Sequence, residues 1–307
     1  MNKSGKEFIV FSKRLCLFAV CLFAADRLIG TALKKGYENY PDAVYYGVNQ
    51  CSQDLLLFGS SRCSHHYVPD ILSGSLGGSC YNLGHDGQNI YYHYGLLKSV
   101  LERHKPEMVI FDLIYIDYLK TPSKYDRDQL SVFLPLHRTD ALKEVIGLRG
   151  KTERIKLLSA IYPFNSQLLP ILGRMAGYEE DSLDGYYPLT GSMKGEREDI
   201  SNTEMCGFDY DPDKLAYVEK AIRLCLRNGV KVVLCASPVY ADMKGRMPSD
   251  TIRCIAGRNG VPFFNYEQDT AFINHPELFR DRLHLNGTGA EIYSAAVARR
   301  IKELLYN

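Results

Sequence analysis

A serine, an aspartate and a histidine stand where they could act together on a carbonyl group. Ser61 lies in Phe58-Gly59-Ser60-Ser61-Arg62, directly after the run Asp54-Leu55-Leu56-Leu57-Phe58. A serine in the first turn of a helix that follows a buried parallel strand has its hydroxyl at the carboxyl edge of the sheet, where such folds bind ligands. The helix N-terminus also offers unpaired N–H groups and positive potential to an oxyanion. The same serines are equally readable as a helix N-cap. Near the other end of the chain, Asp281-Arg282-Leu283-His284-Leu285-Asn286 precedes the last helical stretch. Asp and His three apart on a loop can hydrogen-bond. The carboxylate then orients the imidazole and stabilises its protonated form, while the other ring nitrogen takes a proton from the serine. A polar loop capped by Asn286 would look the same locally. It is less common for two such segments to fall on the first and last strand-to-helix loops of one sheet.

The elements that must position these residues follow from hydrophobic pattern. Short apolar runs predict strands over 54–58, 79–83, 107–114, 231–236 and 261–266. Helical spacing between them predicts helices over 61–72, 88–104, 212–228, 249–258 and 286–306, with Gly229 closing the third. Strands of this kind alternating with amphipathic helices imply a three-layer, flavodoxin-like α/β sandwich around a parallel sheet of about five strands. Residues 118–211 break the rhythm, being rich in Pro, Gly, Tyr and charge, and read as a mostly helical insertion with one helical stretch near 154–160.

With those motifs in place, the sequence resembles the SGNH (GDSL-like) hydrolase superfamily. Gly59-Ser60-Ser61 is similar to its Gly-Asp-Ser block, with Ser60 in place of Asp. Asp281-Arg282-Leu283-His284 is similar to its Asp-x-x-His block, and Asn82-Leu83-Gly84-His85-Asp86-Gly87 to its Asn-x-Gly-x-x-Gly block. The resemblance covers 54–117 and 212–307. It implies Ser61 as nucleophile, His284 as general base and Asp281 as orienter, with the backbone N–H groups of Ser61 and Gly87 binding the oxyanion. The third block, Gly-x-Asn-Asp, is departed from: the register gives Ile114-Tyr115-Ile116-Asp117, so Ile116 replaces the asparagine that would donate to the oxyanion. Loss of one such donor costs about 10²–10³ in rate. Asn89 and Tyr115 are the substitute candidates. Arg62, His85 and Tyr115 are candidate substrate contacts. His65 and His66, adjacent on one helix and so about 100° apart, suit a solvated face or a substrate contact and not joint metal chelation. Asp112, inside a strand, reads as a structural hydrogen-bonding group.

The ends and the composition narrow the setting. Lys3, Lys6, Lys13 and Arg14 precede the apolar run 15–25, and Asp26-Arg27 is followed by 28–33, so that 15–33 is long enough to span a bilayer with the basic flank inside. Gly30-Thr31-Ala32 would serve as a cleavage site, but an uncleaved anchor is favoured. Residues 1–35 are therefore expected to be a signal-anchor and 36–307 an extracytoplasmic domain. A net charge of +1 excludes a global field for nucleic acid. The nine cysteines form neither a CxxC nor a Cys/His metal pattern. No phosphate loop, dinucleotide fingerprint or zinc motif is present, so neither a metal nor a cofactor is expected. The membrane-anchored branch of the resembled superfamily implies O-acyl chemistry on an acylated glycan of the cell envelope or a small ester, with envelope proteins as partners. A tyrosine-lined open cleft would favour a polysaccharide acceptor. The alternative reading, favoured by Ile116, is a non-catalytic carbohydrate-binding or assembly protein.

Overall fold

A computed structural model describes residues 3–178, 182–194, 209–241 and 249–306. Helices α1 (Lys3–Asn39) and α2 (Ala43–Asn49) lead into β1 (Leu55–Phe58), α3 (Ser61–His66), α4 (Pro69–Leu76), β2 (Cys80–Asn82), α5 (Ile90–Leu101) and β3 (Met108–Asp112). The insertion follows, with α6 (Ser123–Gln129), α7 (Lys143–Gly147), α8 (Glu153–Lys156) and α9 (Leu168–Met175) joined by 3-10 turns. The chain then returns through α10 (Pro212–Arg227), β4 (Lys231–Ala236), α11 (Asp250–Asn259), β5 (Phe263–Asn265), α12 (Thr270–Ile273) and α13 (Gly287–Tyr306).

All five strands are parallel, in the order β2-β1-β3-β4-β5. Both faces are covered, which is why the strands read as continuous apolar runs. Side chains still alternate between the layers. Leu56, Phe58, Val109, Phe111, Val232 and Leu234 pack with α2, α5, α10 and α11. Leu55, Leu57, Met108, Ile110, Val233 and Cys235 pack with α3, α4, α12 and α13. The expected three-layer architecture and N-terminal apolar helix are both present.

Three expected boundaries shift. The single helix expected over 61–72 is two, because Pro69 begins α4 and biases Val68 to extended backbone (φ −96°, ψ 108°). Helix α1 does not stop near residue 35 but runs to Asn39. The stretch after it, polar and tyrosine-rich over 34–52 and so expected to be a plain connector, forms α2, capped by Asp42, whose side chain accepts from the Tyr45 N–H. A small third core of Tyr37, Phe164 and Ile171 joins the end of α1 to the insertion.

Candidate active site

Ser61 opens α3, with Ser60 at the N-cap position making no side-chain bond to the helix. The Ser61 Oγ lies 2.7 Å from His284 Nε2. The other ring nitrogen, Nδ1, lies 3.0 Å from both Asp281 carboxylate oxygens. A carboxylate only accepts, so Nδ1 carries the proton and Nε2 is left to accept from the serine hydroxyl. Asp281 Oδ1 also accepts the backbone N–H groups of Leu283 (2.8 Å) and His284 (3.0 Å). Burial would raise the Asp281 pKa, but these N–H groups and the imidazole outweigh it and hold the carboxyl below its usual range. Ser61, Asp281 and His284 are thus brought together, the serine and histidine from positions 223 residues apart.

The histidine loop is fixed from behind. His66 is fully buried; its Nε2 accepts the Leu285 N–H at 2.9 Å, and its Nδ1 donates to Ser237 Oγ at 2.9 Å. Burial, with Arg62 and His284 adding to it, pushes its pKa well below the ordinary value, so the ring is neutral as this bonding requires. The expectation of a solvated face therefore fails for His66, which is a buried strut. His65 points elsewhere. Its Nδ1 meets the Tyr187 carbonyl at 2.7 Å and its Nε2 meets Asp86 Oδ2 at 3.1 Å. Both partners accept. Burial lowers the His65 pKa, yet Asp86 and the carbonyl prevail and raise it. Burial raises Asp86, but His65 and Ser64 bring it down to about 2. The His65 ring stands edge-on to His284, with centroids 5.7 Å apart.

Arg62 is not a substrate contact. Its side chain is 2% exposed and is spent on Ser237: Nε and Nη2 donate to the Ser237 hydroxyl at 3.0 and 2.7 Å, and Nη2 also donates to the Ser237 carbonyl. Asp112 lies 4.0 Å away. The sheet order causes this, since it sets the ends of β1, β3 and β4 side by side and carries the guanidinium inward across the end of β3.

The glycine loop lies against the same turn. Asn82 Nδ2 donates to the carbonyls of Cys63 (2.7 Å) and Tyr67 (3.0 Å), and its Oδ1 accepts the Gly84 N–H (2.9 Å). A Cβ on Gly84 would stand 2.5 Å from the Ser64 N, so only glycine allows this approach. The His85 N–H donates to Gly59 O at 3.0 Å and the Ser64 hydroxyl to Asp86 Oδ1 at 2.5 Å, locking the loop beside α3. Gly87 follows with φ +69°, exposed and with open space where a Cβ would stand, and its carbonyl accepts from Gln129 Nε2. Asn89 is not available as an oxyanion donor. Its Oδ1 caps α5 through the Tyr91 N–H (3.0 Å), and its NH₂ is taken by Asp126 Oδ1 (2.7 Å) and Gln129 Oε1 (2.5 Å) from the insertion. The backbone of 115–118 forms a 3-10 turn; the side chains of Tyr115 and Ile116 lie outside the described residues. Asp117 is buried and its Oδ2 accepts the Ile114 N–H at 3.0 Å. Burial raises its pKa to about 7, with the Asp112 charge contributing and the Ile114 N–H opposing.

Residues 182–194 of the insertion strap the site. The Asn82 N–H donates to Asp184 O, the Tyr187 N–H to Ser64 O, the Gly287 N–H to Leu189 O, and Asn286 Nδ2 to Gly191 O, all at 2.9 Å. A cleft of about 1140 Å³ opens next to α3 and the glycine loop; Ser61, Asp281 and His284 are not among its lining residues. Ser64, His65, His85, Asp86 and Tyr187 line it around the end of α3, and Tyr40, Tyr46, Tyr81 and Tyr178 line it as well. His85 is half-buried there, edge-on to Tyr92 with ring centroids 5.2 Å apart. The His65–Asp86 pair, the His66–Ser237 contact and the strap are not readable from sequence. Only the His65-His66 doublet behind Ser61 gives a signal, and it carries no information about partners.

No protein-family model matches the sequence, and no curated protein matches it. Among solved structures, it is similar to a Bacteroides fragilis protein assigned as an acylhydrolase (13% identity, 84% of this chain and 93% of that one, TM-score 0.41). It is also similar to a GDSL-like lipase from Bacteroides thetaiotaomicron (15%, 81% and 88%, TM-score 0.37) and to a catalytic mutant of an acetylxylan esterase from Geobacillus stearothermophilus (12%, 81% and 94%, TM-score 0.41). At these values the likeness is one of layout.

Proposed function

We propose that the protein is a membrane-anchored serine esterase or O-acyltransferase of the SGNH type. The observation that carries this is the chain of contacts from Ser61 Oγ to His284 Nε2 and from His284 Nδ1 to the Asp281 carboxylate. Ser61 attacks the ester carbonyl while His284 takes its proton and Asp281 stabilises the resulting imidazolium. The N–H groups of Ser61 and Gly87 receive the oxyanion at the start of α3. Collapse expels the alcohol, which takes the proton back from His284. Water or a sugar hydroxyl, deprotonated by the same imidazole, then attacks the acyl-enzyme and releases Ser61. The tyrosine-rich cleft supports a glycan as acyl donor or acceptor, since aromatic walls with hydroxyl tips suit sugar faces. Helix α1, the one helix among the described residues long and apolar enough to cross a membrane, supports an anchor, and the basic flank of Lys3, Lys6, Lys13 and Arg14 is what favours a domain outside. Cleavage at 30–32 would cut inside α1, which continues to Asn39, so the anchor is read as retained.

The test is labelling of full-length protein by a fluorophosphonate, with hydrolysis of aryl acetates. Labelling lost in Ser61→Ala is expected; absence of both labelling and hydrolysis in the unmodified protein sinks the reading. Partitioning of the acyl group between water and added glycan separates esterase from transferase. The engagement of Asn89 by the insertion favours a second reading, a glycan-binding protein without turnover. In that case Ser61→Ala would leave the cellular phenotype intact where gene deletion does not.

A further inference from the structure

Helix α1 does not stand clear of the domain. At Asp26 the insertion is already bonded to it: the Ser159 hydroxyl and the N–H groups of Ala160 (2.9 Å) and Ile161 (3.3 Å) all donate to the Asp26 carboxylate. Arg27 donates to Asp26 and to the Leu158 carbonyl. A Cβ on Gly30 would overlap Ala160, so the two backbones touch there. Higher up, Ile171 and Met175 of α9 pack on Gly36.

These contacts fix a depth. The hydrocarbon core is about 30 Å thick, or about 20 helical residues. Counted from the first residue past Lys13-Arg14, that length ends near Lys34-Lys35. Asp26 to Gly30 then lies within the outer part of the span, and whatever is bonded to it lies at the same level. Three of the polar backbone groups brought to that depth, the Leu158 carbonyl and the Ala160 and Ile161 N–H groups, are tied to Asp26 and Arg27, which lowers the cost of a low-dielectric surrounding. Large apolar side chains stand bare near them: Ile155 and Leu158 are 69% and 74% exposed, and Leu169 on α9 is 78% exposed, with Leu168, Leu172 and Met175 beside it, while exposed Lys156 between Ile155 and Leu158 is paired with Glu153. Lys151 and Arg154 are exposed next to this patch, where they can meet anionic headgroups.

We infer that residues 151–175 of the insertion form a lipid-contacting collar, seating the domain in the outer leaflet through Ile155, Leu158, Leu168, Leu169 and Leu172. The occupant of this apolar face is the bilayer, because the face is continuous with the exposed apolar surface of α1 from Phe8 to Ile29. The inference rests on the anchor reading of α1. The other side of α9, through Pro170, Gly173 and Arg174, lines the cleft together with Asn39 to Asp42, so the cleft mouth is held at headgroup height.

The chain has no tryptophan, so a single introduced one reports its own surroundings. Full-length Leu169→Trp and Leu158→Trp are reconstituted in phosphatidylcholine–phosphatidylglycerol vesicles, with and without dibrominated chains. Phe18→Trp reports the span, and Ile292→Trp, on the exposed side of α13 in the opposite layer, reports water. Blue-shifted emission from the Leu169→Trp or Leu158→Trp variant, lost for the most part to the brominated lipid, is the expected result. Red emission unquenched in both variants while Phe18→Trp is quenched overturns the collar and leaves the anchor standing. Blue emission without quenching overturns it too, because the cover is then protein. An unquenched Phe18→Trp variant overturns the anchor reading, and a quenched collar alongside it still supports lipid contact.

Discussion

At the carboxyl edge of the sheet, the residues around Ser61 are held by groups from other elements. His284 is held by Asp281 and, through Leu285, by His66; Arg62 is held by Ser237; Asn82 holds α3 and the glycine loop at once. In the insertion between 151 and 175, by contrast, the helices are short, and Leu158 and Leu169 face outward. On the proposed reading the first region must hold position, since an attacking hydroxyl misplaced by about 1 Å can lose about 10² in rate. On the proposed collar, the second is a matter of surface, since lipid asks for area and not for a fixed distance.

That contrast can be broken in order of effect. Ser61→Ala or His284→Ala should lower kcat by about 10⁴–10⁶-fold with the fold intact, measured by aryl-ester turnover and circular dichroism. A loss of less than about tenfold would show that the edge is not catalytic. His66→Ala leaves the Leu285 N–H without its buried acceptor and should cost about 1–3 kcal/mol of stability, read in denaturant unfolding, with kcat falling because His284 loses its support. Unchanged kcat would mean the strut is structural only. Asn89→Ala should cost about 1 kcal/mol through loss of its cap and leave kcat within a few-fold. A drop of about 10²–10³ would instead restore Asn89 as an oxyanion donor.

The smallest effect concerns pH. The Asp86 pKa is depressed to about 2, so its contribution is present above the unfolded carboxylate value and is lost as pH falls through about 2. The His65 pKa is raised, so its contribution is full below about 6.5 and is lost as pH rises through the raised value. The melting-temperature difference between unmodified protein and Asp86→Asn should therefore be greatest between about pH 4 and 6.5 and shrink on both sides. A difference that keeps growing toward about pH 8 would show that the pair is not ionic.

Much of this molecule is legible locally. The five strands read as runs of Leu, Val, Ile and Phe because a parallel sheet covered on both faces needs nothing else. Ser61 is legible because a residue at a strand-to-helix junction lies at the carboxyl edge of a parallel sheet; Asp281 and His284 are legible by their spacing and their place before the last helix, although α12 and a 3-10 turn stand between β5 and them. Arg62 reads wrongly as a substrate contact because its partner, Ser237, is 175 residues away and becomes a neighbour only through the order β1-β3-β4. Asn89 reads wrongly as an oxyanion donor because Asp126 and Gln129 come from an insertion with no period to predict its path. The doublet His65-His66 shows the division most sharply. Helical geometry alone sends the two rings about 100° apart. Only the packed structure makes one a neutral strut between Ser237 and Leu285 and the other a partner of Asp86 at the cleft. A side chain's direction is a property of its own backbone, but its charge and bonding belong to whatever the fold brings against it.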